Sequence, residues 1–122
     1  MSSTVLRVLL EVNNQLKLFH WQTQFYSRHK ASDDYIKKLT ELTDKFLEVY
    51  QGKYGKLKLG TSVQINLYDT NDNTVIEYVR TFHNFLENDL MNVISSRDSD
   101  LTNIRDELLG ETKQFLYLLN FS

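Results

Sequence analysis

The sequence predicts an all-α fold, a four-helix bundle with one long crossover between its second and third helices. Three observations predict it. Proline is absent and glycine occurs only at 52, 55, 60 and 110, so little interrupts a helix. Four stretches repeat apolar side chains at the spacing of a single helical face. Only one of the connections between them is long enough to travel the length of a bundle. The 122 residues make one domain, and a 41% hydrophobic content with one tryptophan, seven tyrosines and seven phenylalanines supplies one core.

The first helix is expected over residues 3–26, where Val5, Leu9, Val12, Leu16 and Phe19 share a stripe. The second is expected over 30–53, with Tyr35, Leu39, Leu42, Phe46 and Val49. The third is expected over 73–94, with Val75, Val79, Phe82, Leu86 and Val93, and the fourth over 99–120, with Leu101, Ile104, Leu108, Phe115 and Leu118. Asp98 or Ser99 suits the N-cap of the last. Helices of this length span roughly 30 to 36 Å, so a connection of a few residues can only reverse the chain. Helices one and two are therefore antiparallel, as are three and four.

The middle stretch, 54–72, alternates at Lys56-Leu57-Lys58-Leu59 and at Val63-Gln64-Ile65-Asn66-Leu67, the pattern of extended chain. As a crossover it makes the arrangement the ferritin-like one. The other reading is a small hairpin capping an up-down bundle.

Composition excludes several classes of function. A net charge of −2 and no basic arm predict no nucleic-acid binding. Without cysteine, a metal site must use histidine nitrogen and carboxylate oxygen, and the expected compartment is the cytoplasm. Arg7, Glu11, Asn13 and Asn14 break the early apolar run, which argues against a leader or a membrane span. The run "QGKYGK" follows a helix instead of opening one, so it is no phosphate loop. There is neither a serine, histidine and acid set nor a His-Glu-x-x-His signature, and hydrolases are disfavoured.

The stretch "FHWQTQFYSRHKASDD" holds two of the three histidines. At about 100° per residue, His29, Asp33, Asp44 and Glu48 fall within an arc of about 100° on the second helix, beside its core stripe. Asp34 points away from that arc. Asp33 and Asp44 lie roughly 16 Å apart along the axis, too far to serve one ion. If two copies of the second helix pack antiparallel about a two-fold near residues 38 and 39, Asp33 of one comes level with Asp44 and Glu48 of the other. The first helix also carries Leu6, Leu10, Leu18, Trp21 and Phe25 off its core stripe, apolar surface that a dimer would bury. His20 falls close to the start of the second helix and can join His29.

The order His20-Trp21, His29, Asp33, Asp44 and Glu48, and the intervals from His29 onward, resemble the Dps group of mini-ferritins within the ferritin-like proteins. That resemblance covers the first two helices, and the fourth loosely through "DLTNIRDELLGETKQFLYLL". It implies a ferroxidase site shared between subunits: His29, Asp33 and His20 from one, Asp44 and Glu48 from the other. Such sites bind ferrous iron and oxidise it with peroxide or dioxygen, for iron sequestration or oxidative protection. The resemblance also implies a homo-oligomer, a two-fold dimer or a shell of dimers, with Asp33, Asp44 and Glu48 doing the catalytic work. The stretch from His20 to His29 is shorter than the usual loop of that family. "KLFHWQT", "RHKASD" and "VYQGKYGK" also look like small ferritin-like proteins of phages and large DNA viruses.

Plainer readings stand beside these. Asp44 can answer Lys37, Lys38 or Lys45 as a surface ion pair. His20 can be a core-edge histidine donating to a backbone carbonyl. The whole can be a helical dimer for assembly or partner binding, or can hold zinc or manganese without redox chemistry. Trp21 is first a packing residue, and a role as electron source beside the iron comes only with the resemblance. His83 and Glu87, with Glu107 and Glu111, form a second constellation, in which Glu111 reads as a buried acid satisfied by a hydrogen bond or a lysine.

Overall fold

A computed structural model describes residues 1–121. Four helices, α1 (Ser3–Gln22), α2 (Tyr26–Tyr54), α3 (Val75–Glu87) and α4 (Ser99–Leu119), account for most of them, with a single 3-10 turn at Leu90–Asn92. Among the described residues there is no β-strand, so the alternations at 56–59 and 63–67 do not pair as a hairpin. Among the described residues, no helix is long and apolar enough to cross a membrane.

Local chemistry sets the helix ends. Ser2 caps α1 by accepting the Val5 amide at 3.2 Å. The helix stops at Gln22, four residues short of the expectation, because Thr23 turns extended with φ −63° and ψ 143°. Asp72 fixes that turn by accepting the Thr23 hydroxyl at 2.5 Å and the Gln24 amide at 3.1 Å. The second helix consequently begins at Tyr26, which puts His29 in its first turns and not in a loop. It ends at Gly55, whose φ of 95° is open to glycine and strained for other residues.

The third helix ends at Glu87 instead of running to 94, since Asn88 folds its side-chain amide back on the Asn84 carbonyl at 3.0 Å and Asp89 follows, both weak helix formers. Asp98 occupies the N-cap position of α4, but its side chain makes no capping bond there. That carboxylate is buried and accepts the Ser95 amide at 2.8 Å, the Lys53 ammonium and the Tyr54 hydroxyl.

Side-chain bonds give the helix directions. Asn13 meets Thr40 at 3.0 Å and His20 meets His29, so α1 and α2 are antiparallel. Arg28 reaches the Leu119 carbonyl at one end of α2 while Lys53 meets Asp98 at the other, so α2 and α4 are antiparallel too. The second helix packs on both α1 and α4, and α3 packs on α4. Phe19, Phe46 and Phe115 are fully buried in the shared core, and truncating any one to alanine should cost about 3 to 5 kcal/mol.

The connection from Gly55 to Thr74 lies along α1 without secondary structure of its own. Asn66, Tyr68 and Thr70 donate their amides to the side chains of Glu11, Gln15 and Gln22 at 2.8, 3.0 and 2.9 Å. Four helical residues advance about 6 Å and two extended residues about 6.6 Å, so Glu11 and Gln15 meet alternate residues of this strap in step.

Candidate metal centre

His20 closes α1 and His29 opens α2, and the turn at 23–25 is short enough to fold one ring onto the other. The rings stack with centroids 4.0 Å apart and planes 18° from parallel. His20 Nδ1 lies 2.8 Å from the His29 carbonyl oxygen, and His29 Nδ1 lies 2.8 Å from the His20 carbonyl oxygen. A carbonyl only accepts, so each Nδ1 carries the proton. With Nδ1 donating, a neutral imidazole keeps its lone pair on Nε2, one of the two ring nitrogens through which histidine binds metal. Ser32, fully buried, adds its hydroxyl between the His20 ring at 3.0 Å and the His29 carbonyl at 3.0 Å.

Of the two rings, that of His20 is buried and that of His29 exposed. Tyr26 stacks more loosely on His29, with centroids 6.3 Å apart. Beneath the turn, buried Arg28 donates to the Leu119 carbonyl at 3.1 Å and the Asp72 carbonyl at 2.6 Å, and lies 3.4 Å from the Asp72 carboxylate. Burial pushes the Asp72 carboxyl up, but Thr23, the Gln24 amide and Arg28 together outweigh it and leave its pKa below the ordinary value.

Asp33, one turn beyond His29, is half-buried and pairs with Lys37 at 3.3 Å. The Lys37 hydrogen bond holds its carboxyl below the usual range against the opposing effect of burial, with the charges of Lys37, of His20 when protonated, and of Lys17 adding to the lowering. Asp44 and Glu48 are exposed farther along α2. Among the described residues of one chain, no three histidine and acidic side chains gather closely enough to hold a metal ion. His20, His29, Asp33, Asp44 and Glu48 therefore do not come together as one shell within a single chain. Asp34 is exposed, as its place on the helix predicts.

Trp21, expected off the core stripe, is 67% exposed, with Lys17 Nζ 5.8 Å from its ring centroid. Two residues after the core residue Phe19 it stands about 200° round the helix, on the opposite side. Leu6, expected on a face left for a partner, is buried within the chain, whereas Leu10 and Phe25 remain exposed. In the second constellation, Glu111 is half-buried and answered by Lys38 at 3.5 Å, and His83 pairs with Glu87 at 3.4 Å.

Sequence reasoning missed Ser32, Arg28 and Asp72. Ser32 stands three residues after His29, a spacing that places it on the same face, and that signal was legible. Nothing in the sequence joins Arg28 to Asp72, which meet only through the fold.

A family model described as "Family of unknown function (DUF5856)" matches residues 20–119, a span that begins at His20. No curated protein and no solved structure matches the chain.

Proposed function

The chain belongs to DUF5856, a family of unknown function, and on that premise we propose from the residues themselves that it is a Dps-like mini-ferritin which oxidises Fe(II) at sites shared between two copies. In this reading the fold is ferritin-like and residues 55–74 are its crossover, a view supported by the bonds that tie Asn66, Tyr68 and Thr70 along α1. The observation that carries the functional reading is the reciprocal bonding of His20 and His29, which leaves both Nε2 lone pairs available.

The donor set suits iron. Imidazole nitrogen favours the ferrous ion and carboxylate oxygen the ferric product, so one site can admit the first and stabilise the second. His20, His29 and Asp33 of one copy would receive Fe(II) opposite Asp44 and Glu48 of the other, with Asp33 best placed to touch two ions. Two Fe(II) ions would give one electron each to hydrogen peroxide, which takes up two protons and leaves as two waters; dioxygen taking the same two electrons and two protons would leave as hydrogen peroxide. Burial of His20 and the Ser32 hydroxyl keep its ring in place through this change. The product is ferric iron held away from further peroxide, which serves sequestration and oxidative protection.

The test is Fe(II) added in air or with peroxide near neutral pH, followed by ferric absorbance. The parent should oxidise iron at least tenfold faster than the Asp44→Ala, Glu48→Ala double variant. Equal rates would overturn the ferroxidase reading, and stoichiometric zinc or manganese uptake without oxidation would replace it with a redox-inert metal protein.

A further inference from the structure

The strap over α1 has two edges, and among the described residues only one of them makes hydrogen bonds. Asn66, Tyr68 and Thr70 turn their amides to Glu11, Gln15 and Gln22. Gln15 takes both main-chain groups of Tyr68, accepting its amide at 3.0 Å and donating to its carbonyl at 2.7 Å, as a neighbouring strand would. In extended chain the N–H and C=O of one residue point to the same side and those of the next to the other. The odd residues Val63, Ile65 and Leu67 therefore direct theirs away from α1, and no hydrogen bond to the main chain of Ile65 or Leu67 occurs among the described residues.

We propose that this outer edge pairs antiparallel with the same segment of a second copy, across a two-fold axis through Ile65. The segment reads the same in both directions by chemical type: apolar at 63, 65 and 67, amide at 64 and 66. Reversal about Ile65 sets Val63 opposite Leu67 and Gln64 opposite Asn66, the self-complementarity that a two-fold contact requires and a foreign peptide has no reason to share. The side chains call for cover as well, since Ile65 is 37% and Leu67 51% exposed. Natural edges are usually blunted by proline or lysine, whereas here proline is absent and the nearest lysines, Lys56 and Lys58, precede the segment. Leu10 and Trp21 stand about 100° round α1 from Glu11 and Gln22 and are exposed.

This interface goes beyond the iron reading and is independent of it. A dimer without iron chemistry would satisfy it, and iron chemistry across another contact would leave it unmet.

The chain has no cysteine, so one introduced thiol gives an unambiguous test. Directly opposed residues of a hydrogen-bonded antiparallel pair lie about 5.5 Å apart at Cα, within disulfide reach. Ile65→Cys should cross-link under mild oxidation at least tenfold faster than Tyr68→Cys, which is more open to solvent but falls about 20 Å from its own copy in this register. Amide exchange on the parent protein gives a second measurement that needs no variant: Ile65 and Leu67 should be protected at least tenfold more at high protein concentration than at dilution. A monomer at 100 μM, equal cross-linking rates, or a dimer whose Ile65 and Leu67 amides exchange freely would each overturn the proposal, whether or not iron is oxidised.

Discussion

His20 and His29 hold each other by the same bond given twice, each Nδ1 lying 2.8 Å from the other's main-chain carbonyl. The plainer reading of His20, a histidine donating to a backbone oxygen, describes one half of this arrangement. Its consequence lies at the other nitrogen, because a ring committed at Nδ1 offers a lone pair at Nε2.

Replacing either histidine separates structure from metal binding. His29→Ala removes an exposed ring and should lower Co(II) affinity about tenfold or more while costing about 1 kcal/mol of stability. His20→Ala should weaken metal to a similar extent and cost more, about 2 kcal/mol, because it also leaves buried Ser32 without its ring partner. Cobalt titration followed in the visible range, beside urea unfolding, reads both. Unchanged cobalt affinity in both variants would remove the histidines from the site.

Arg28 and Asp72 predict how acid weakens the fold. The folded pKa of Asp72 lies below its ordinary value of 3.8, so its contribution is complete above that value and is lost as pH falls through the lower, folded one. Asp72→Asn should therefore flatten the acid limb of the stability profile. Arg28→Met should cost about 2 to 3 kcal/mol, since it strips bonds from the Leu119 and Asp72 carbonyls. Urea midpoints between pH 2 and pH 6 decide both.

At the alkaline end the sensitive group is Tyr35, stacked on Phe115 at 4.4 Å and bonded to Thr112 at 2.7 Å. Burial raises its pKa far above the ordinary 10.0; the Thr112 bond pulls the other way, and the Glu111 and Tyr78 charges add to the rise. The folded state thus keeps the proton, and its contribution is full below pH 10 and declines as pH rises beyond it. Tyr35→Phe should cost about 1 kcal/mol at neutral pH and make stability less steep above pH 10. An unchanged alkaline slope would count against this assignment.

Gln15 should govern the strap. Gln15→Leu keeps the apolar contact in the core and removes both bonds to Tyr68, so the Tyr68 amide should exchange about tenfold faster or more while the amides of α2 keep their protection. If Tyr68 exchanges at the parent's rate, the strap is held by something other than this amide.

The helices and their faces were legible in the sequence because helical periodicity is local. The expected stripe of α1, Val5, Leu9, Val12, Leu16 and Phe19, is buried throughout, and in α2 Leu42 and Val49 are half-buried while Arg28, Ser32 and Ile36 join the core side. Helix ends were less legible. Gln22 and Glu87 end their helices through partners and competing side-chain bonds that periodicity does not register.

By itself the sequence determined four amphipathic helices, the absence of thiolate ligands, and an ordered series of imidazoles and carboxylates at helical intervals. Each is a property of residue type and spacing. Only the tertiary structure decided that His20 and His29 close on each other, that Ser32 and Arg28 support the turn, that Leu6 is buried, and that the strap, among the described residues, leaves the Ile65 and Leu67 main chain without a partner. These depend on main-chain carbonyls and on residues such as Asp72, dozens of positions away, which come within bonding distance only when the helices pack.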